Sequence, residues 1–140
     1  MPAHLKIDRA DLGKLAIISG DPERIELLST KLSNVELLNK NRGFLTYQGK
    51  YNGKSIILAT HGIGATSASI VIEELIMLGI KKIIRLGTAG SLRKEFNIGD
   101  VIIPTSAAYG QSSPINVYTE GFNLAPAPDY FFIKQFNKFL

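Results

Sequence analysis

Arg85 occurs where an apolar run ends and a glycine-rich segment begins. Residues 82–86 are predicted to form a buried strand, and an arginine inside it is costly unless an anion lies beside it. Gly87 and Gly90 let a ligand approach the main chain, and Thr88 between them offers a hydroxyl. This order of residue types favours an anion site at the carboxyl end of a strand, where open α/β sheets bind ligands. The alternative is a tight turn in which Arg85 reaches solvent or pairs with an acid.

A second anion signal lies near the start of the chain, where the apolar run at 15–19 stops at Gly20. Asp21 is typical of a helix N-cap and Pro22 of a first helical residue, so a helix should follow directly. A strand, a glycine turn and a helix N-terminus in succession gather free backbone N–H groups and the positive end of the helix. Arg24 in the first turn is unfavourable for the helix dipole unless an anion binds there. The alternative is an ordinary exposed arginine.

The elements between these two signals must position them. They are predicted strands at 35–38, 44–51 and 55–60, a turn at 41–43 and a helix at 66–78. Asn52-Gly53 is a strong hairpin signal, and Gly79 is expected to cap the helix. The helix then leads into the strand of Arg85, which makes a right-handed parallel crossover. The sequence therefore predicts an α/β protein with a mixed sheet.

The segment after residue 60 contains His61, Gly62 and Gly64. The two glycines suggest a dinucleotide site, but a third glycine and a correctly spaced acid are lacking, so a Rossmann cofactor site is excluded. His61 is interpreted as a hydrogen-bonded histidine at a strand end rather than as a catalyst, because no carboxylate or serine is placed to form a triad.

Composition excludes several other classes of protein. The 140 residues include no cysteine and two histidines, which excludes disulfides and thiolate metal sites and gives no convincing zinc site. No segment is typical of a signal peptide or a membrane span, so we expect a cytoplasmic protein without a membrane partner. The net charge is +4, but the 16 basic residues are scattered among 12 acids. This pattern favours a solvated surface over a nucleic-acid groove, which is the least favoured alternative.

The last third of the sequence is predicted to contain one buried strand at 101–104, continued to 109, and one helix from 128. Residues 110–128 are loop-like and typical of a pocket wall or lid. The helix carries an apolar stripe made of Phe132, Ile133, Phe136, Phe139 and Leu140. Because this stripe has no cap and ends on apolar residues, we expect a chain truncated at its C-terminus.

These motifs occur in an order typical of one family. Gly-Asp-Pro-Glu-Arg at 20–24, Asn-Arg-Gly at 41–43 and Arg-Leu-Gly-Thr-Ala-Gly at 85–90 follow His4, with His-Gly-Ile-Gly at 61–64 between them. As a set they resemble the hexameric nucleoside phosphorylases, which include purine nucleoside, methylthioadenosine and uridine phosphorylases. The similarity is strongest to the purine and methylthioadenosine members. It implies a three-layer α/β/α domain with a mixed, mostly parallel sheet, of which residues 1–140 are the N-terminal part.

The resemblance also implies a site for phosphate and a nucleoside. Its phosphate-binding residues would be Gly20, Arg24, Arg85 and Thr88, joined by Arg42 from a neighbouring subunit. Its nucleoside-binding residues would be His4, from the same neighbour and beside the ribose 5′ position, and Ala89 and Gly90, beside the base. The protein would be a homo-oligomer, dimer-based and hexameric as in the family. It would need no metal or organic cofactor, only inorganic phosphate as co-substrate.

The implied reaction is phosphorolysis of the N-glycosidic bond of a purine-type nucleoside (inosine, adenosine or methylthioadenosine), giving the free base and ribose 1-phosphate. Arginine forks suit this reaction because phosphate must lose water and be held in line with the anomeric carbon. In the family, the aspartate that protonates the purine and a Met-Glu pair that binds the ribose lie further along. The general acid is therefore expected beyond Leu140, and we expect little turnover from this chain alone.

Three alternatives to this reaction stay open. The first is a uridine phosphorylase, and the second is a non-catalytic remnant that binds phosphate or oligomerises. The third is a nucleosidase that uses water, against which the retained Arg24, Arg42 and Arg85 argue.

Overall fold

Short apolar segments separated by polar turns form a five-stranded sheet in the computed structural model of the chain. The structure describes residues 1–9, 11–110 and 113–136. The strands are β1 (Leu15–Ser19), β2 (Ser33–Asn39), β3 (Thr46–Tyr51), β4 (Lys54–Thr60) and β5 (Lys82–Arg85). Their order in the sheet is β2-β3-β4-β1-β5. β1 pairs in parallel with β4 and β5, whereas β3 pairs antiparallel with β2 and β4. Of the described strands, β3 alone therefore runs against the others, which confirms the mixed, mostly parallel sheet.

Helices cover both faces of this sheet. These helices are α1 (Pro22–Ser29) and α2 (Ala65–Met77). The chain also forms α3 (Ile115–Tyr118), α4 (Tyr130–Phe136) and a 3-10 turn at Asn41–Gly43. Alternate side chains of β4 point to opposite faces, because successive residues of a strand do so. Leu58 lies in a buried cluster with Ile25 of α1, whereas Ile57 lies in a second cluster with Leu75 of α2. This arrangement confirms the predicted α/β/α layers.

The predicted turn chemistry is present at the ends of these elements. Asp21 caps α1 by accepting a hydrogen bond from the Glu23 N–H at 3.0 Å, and Pro22 is the first helical residue. Asn52 and Gly53, with φ of +48° and +77°, make the turn between β3 and β4. The C-cap of α2 is Leu78 rather than the predicted Gly79.

The chain divides into two compact units, Met1–Thr88 and Ala89–Leu140. All five strands belong to the first unit, and α3 and α4 belong to the second. The helix predicted from residue 128 is confirmed by α4, in which the Phe132 and Phe136 rings lie 5.8 Å apart. Phe139 and Leu140 lie outside the described residues. Within the described ranges, no helix has the length and apolarity needed to cross a bilayer.

The strand predicted at 101–104 and its continuation to 109 are wrong. Val101 is 65% exposed and Ile102 is 54% exposed. A strand requires a neighbour whose backbone groups complete the ladder of hydrogen bonds. No described segment pairs with this run, so its apolar side chains alone do not produce a strand.

Candidate functional site

The carboxyl ends of β1, β4 and β5 lie side by side at one edge of the sheet. The register pairs Ser19 of β1 with Thr60 of β4, and Ile18 of β1 with Arg85 of β5. Just past the end of β4, the His61 N–H donates to the Ser19 carbonyl at 2.8 Å. Parallel strands thus bring residues from three distant parts of the chain to the edge where ligands bind in such sheets.

Arg24 reaches back from the first turn of α1 to the end of β1. Its Nη1 donates to the Ser19 hydroxyl at 2.9 Å, and its Nη2 lies 3.7 Å from the Asp21 carboxylate. Ser19 is completely buried, so its hydroxyl is a fixed acceptor. Gly20 lies between these two residues, and its N–H donates no hydrogen bond within the described part of the chain. A guanidinium, an available N–H and the positive end of α1 are therefore close together.

Arg85 is held by a neutral partner rather than by an acid. Its Nε donates to Nε2 of His61 at 3.2 Å, and it forms no ion pair with a carboxylate among the described residues. Because arginine only donates, Nε2 of His61 must accept, and the imidazole must be neutral. Burial of the ring and then the positive charge of Arg85 hold the pKa of His61 below its ordinary value.

The structure matches the interpretation of His61 as a hydrogen-bonded histidine at a strand end. The residue is only 4% exposed. Its Nδ1 atom is buried without a hydrogen-bond partner in the described ranges. The hydrogen bond that the ring makes there is therefore the one between its Nε2 and Arg85. His61 thereby links the end of β4 to the end of β5.

Arg42 and His4 form a separate group at the same edge. Arg42 lies in the turn at Asn41–Gly43, which joins the end of β2 to the start of β3, and it is exposed with φ of +53°. Asn41 donates from Nδ2 to the His4 carbonyl at 2.8 Å. Within the described residues, Arg42 and His4 make no hydrogen bond to Arg24 or Arg85. Hydrogen bonds connect Arg24 to Arg85 only through Ser19 and His61, and they join His4 to the turn that carries Arg42.

A buried carboxylate fixes His4. Glu74 of α2 accepts hydrogen bonds from the Leu5 N–H at 2.7 Å, the His4 N–H at 3.0 Å and Nδ1 of His4 at 2.7 Å. Burial of Glu74 raises its pKa, but these hydrogen bonds outweigh that effect and hold the pKa below its ordinary value. The His4 ring also meets the Phe44 ring edge-on, with centroids 6.1 Å apart. The N-terminal segment is therefore anchored to α2 with the His4 ring in a fixed orientation.

The remaining candidates follow β5. Thr88 ends the first unit and is exposed, and it makes no hydrogen bond in the described part of the chain. Ala89 and Gly90 begin the second unit and are also exposed. Within the first unit, no hydrogen bond joins Thr88 to Arg24 or Arg85 in the described ranges. Among the described residues, no group of three or more His, Asp or Glu side chains could bind a metal ion.

Sequence reasoning missed two residues that position the candidates. The apolar pattern places Ser19 only at the end of a strand. A hydroxyl residue at that point, directly before Gly20, could have indicated a polar contact at the site. Glu74 occupies a position between Val71 and Leu75 on the buried face of α2. An acid on the apolar stripe of a helix requires a buried partner, and that signal could have indicated the contact with the N-terminal segment.

Comparison with known proteins places these residues in context. The model of the phosphorylase superfamily matches residues 14–137. Uridine phosphorylase of Haemophilus influenzae is 42% identical over 106 residues, which are 74% of this chain and 42% of that protein. The DeoD-type purine nucleoside phosphorylase of Bacillus cytotoxicus is 35% identical over 138 residues, which are 96% of this chain and 58% of that protein. The crystal structure of a Vibrio fischeri uridine phosphorylase matches 99% of this chain and 56% of its own, with a TM-score of 0.88 and 26% identity.

The similarity establishes the fold and the family. The chain spans about half the length of the curated relatives it matches. Those relatives include uridine and purine nucleoside phosphorylases, so similarity alone does not select the base. The structural neighbour confirms the phosphorylase-like α/β fold that the sequence predicts. Because the family model covers most of its length, this chain belongs to the phosphorylase superfamily.

Proposed function

We propose that this chain supplies the phosphate-binding part of a nucleoside phosphorylase that acts on purine-type nucleosides. The observation that carries the proposal is the placement of Arg24 and Arg85 around Ser19, Gly20 and His61 at one sheet edge. The reaction breaks the N-glycosidic bond and transfers the ribose to phosphate, so the enzyme is a pentosyltransferase with phosphate as co-substrate.

The charges at this edge suit a phosphate dianion. Arg85 has no carboxylate partner in the described part of the chain, and the Asp21 carboxylate lies 3.7 Å from Arg24, beyond a normal hydrogen bond. An anion bound there would gain the unpaired guanidinium N–H groups and the N–H of Gly20. Forked guanidinium groups bind phosphate oxygens bidentately and compensate for the water that phosphate loses. Phosphate held in this way is oriented for attack on the anomeric carbon.

The other candidate residues complete this site in the proposal. Thr88 adds a hydroxyl to the phosphate, and Ala89 and Gly90 lie beside the base. Arg42 and His4 serve the site of a neighbouring subunit, in a dimer-based homo-oligomer. The hydrogen bond between Asn41 and His4 supports this assignment, because it joins the turn that carries Arg42 to the N-terminal segment that carries His4.

The choice of base is argued from similarity to known proteins. The motif resemblance over residues 41–79 and the match of the DeoD-type relative to 96% of this chain favour a purine. The higher identity of the Haemophilus influenzae relative, 42% over a shorter segment, makes uridine phosphorolysis the alternative. The two units are taken as one phosphorylase-like domain, and the cytoplasmic location stays a prediction.

Two measurements on this chain test the proposal. Isothermal titration with inorganic phosphate should give saturable binding that is lost in Arg24→Ala, and an absence of binding would contradict the phosphate site. Release of base from inosine, adenosine, methylthioadenosine and uridine should be weak, because the resemblance assigns the general acid to a part of the family that follows residue 140. Any release should require phosphate. Release without phosphate would instead indicate a nucleosidase.

The neighbouring-subunit assignment has its own experiment. Sedimentation should show an oligomer, and Arg42→Ala and Arg85→Ala should each weaken phosphate binding. Mixed oligomers of these two variants should regain a fraction of tight phosphate sites. Where the two variants are neighbours, one site receives a wild-type Arg85 from one subunit and a wild-type Arg42 from the other. No regain on mixing would indicate that Arg42 does not serve a partner. Assembly with phosphate binding and no turnover would favour the non-catalytic alternative.

A further inference from the structure

We infer that His61 is a positioning residue for Arg85, and that His61 and Gly87 together fix the direction of the guanidinium before phosphate binds. The juxtaposition behind this inference is a buried neutral imidazole at Nε of Arg85 and a residue without a side chain next to its Nη1. The inference rests on the proposed phosphate site, because it assigns a purpose to the orientation of Arg85.

The His61 backbone is itself held in place by two hydrogen bonds. The His61 N–H donates to the Ser19 carbonyl at 2.8 Å, and the His61 carbonyl accepts from the Ser67 hydroxyl at 2.6 Å. These bonds connect the residue to β1 on one side and to α2 on the other. Because the residue is only 4% exposed, the packing around it restricts the direction of the Nε2 acceptor.

A neutral acceptor suits this position better than an acid. The bond to His61 uses the single Nε–H of Arg85 and leaves the four N–H groups of Nη1 and Nη2 for an anion. A carboxylate in place of His61 would also orient the guanidinium, but it would neutralise the charge and compete with phosphate. The imidazole orients Arg85 and leaves its charge uncompensated.

Gly87 makes room for the Arg85 guanidinium. A Cβ atom at Gly87 would lie 2.5 Å from Nη1 of Arg85 and 3.1 Å from its Cζ, both too close for an ordinary contact. The φ angle of Gly87 is outside the left-handed region, so its backbone would accept alanine. A side chain at this position would therefore displace the end of Arg85 at little cost to the fold.

Four variants of the whole chain test the inference by titration with inorganic phosphate. His61→Leu removes the acceptor and should weaken phosphate binding about 10-fold, whereas His61→Gln restores an acceptor and should bind within about 3-fold of wild type. Gly87→Ala should also weaken binding about 10-fold. Gly110→Ala is the matched control, because a Cβ at Gly110 would meet nothing within 4 Å and its φ is not left-handed, and it should bind like wild type. Circular dichroism checks that each variant is folded.

A second readout separates this inference from the proposed function. In the ¹⁵N spectrum of the phosphate-free chain, the Nε–H of Arg85 should be protected from solvent exchange in wild type and His61→Gln, and unprotected in His61→Leu. Equal protection in wild type and His61→Leu would overturn the positioning role. If wild type binds phosphate and both His61→Leu and Gly87→Ala bind it equally well, the inference is wrong and the proposed function stands. If wild type does not bind phosphate, both are wrong.

Discussion

The two units of the chain use apolar residues with different results. In the first unit, Met1–Thr88, Ile57 and Leu58 of β4 are each 1% exposed. In the second unit, Ala89–Leu140, Val101 and Ile102 of the run at 101–104 are each more than half exposed. Both runs have the composition of a buried strand, so composition does not explain the difference.

The difference follows from what surrounds each run. β4 has β3 on one side and β1 on the other, and helices α1 and α2 cover its two faces. The run at 101–104 has no pairing partner in the described ranges. Backbone N–H and C=O groups must be paired before side chains can be buried around them, so pairing decides which apolar run becomes a strand.

The largest effect should come from truncating one apolar side chain in each of the two runs and comparing the losses of stability. Leu58→Ala leaves a cavity under α1 and should lower the free energy of unfolding by about 3 kcal/mol. Ile102→Ala should change it by less than about 0.5 kcal/mol, because the side chain is 54% exposed. Urea unfolding followed by far-ultraviolet circular dichroism measures both. Equal losses would mean that the second unit has a core of its own around residue 102.

The same contrast shows how much of the fold could be predicted from sequence. β1 was predicted at its observed bounds, and the Asn52-Gly53 turn and the Asp21 cap were predicted correctly, because each depends on neighbours in sequence. The strand at 101–104 failed because it depends on a partner elsewhere in the chain. Local patterns identify a segment that can form a strand, but only long-range pairing makes it one.

The second effect concerns one carboxylate from each unit. Glu74→Gln replaces an acceptor of three hydrogen bonds with an amide whose NH₂ must face a donor, so it should cost about 2 kcal/mol of stability. Glu95→Gln removes an exposed pair with Arg93 and should have no measurable effect. The same unfolding experiment applies. If Glu74→Gln leaves the free energy of unfolding unchanged, the N-terminal segment is not anchored through this residue.

The site was predictable to the extent that a charge was out of place. Arg24 in a first helical turn and Arg85 at the end of an apolar strand are anomalies visible in the sequence. The contacts that position the candidate side chains are not visible in this way. His61 meets Arg85 across 24 residues and Glu74 meets His4 across 70, so neither contact follows from spacing along the chain.

The third effect tests whether the two units differ in anion binding as well as in packing. Arg85→Ala should weaken binding of inorganic phosphate at least about 10-fold, because an unpaired guanidinium is lost from the proposed site. Arg93→Ala in the second unit should leave binding unchanged, since Arg93 is exposed and already paired with Glu95. Titration calorimetry at one salt concentration measures both. Equal weakening would indicate a diffuse effect of net charge rather than a site.

The smallest effect is a pH dependence that the first unit should show through His61. The pKa of His61 in the folded chain lies below its ordinary value of 6.5, owing to burial and to Arg85, the charged side chain that faces it. The unfolded chain therefore binds more protons in this range, and the free energy of unfolding should fall as the pH drops below 6.5. The pKa of Glu74 is also lowered, from 4.5, so its stabilising contribution is lost only at still lower pH. Urea unfolding from about pH 8 to about pH 5 should give a slope in wild type that is reduced in His61→Gln, which cannot titrate there. If the two slopes coincide, the imidazole that links β4 to β5 is not buried and neutral in solution. The fixed contact between His61 and Arg85, on which the site in the first unit depends, would then be wrong.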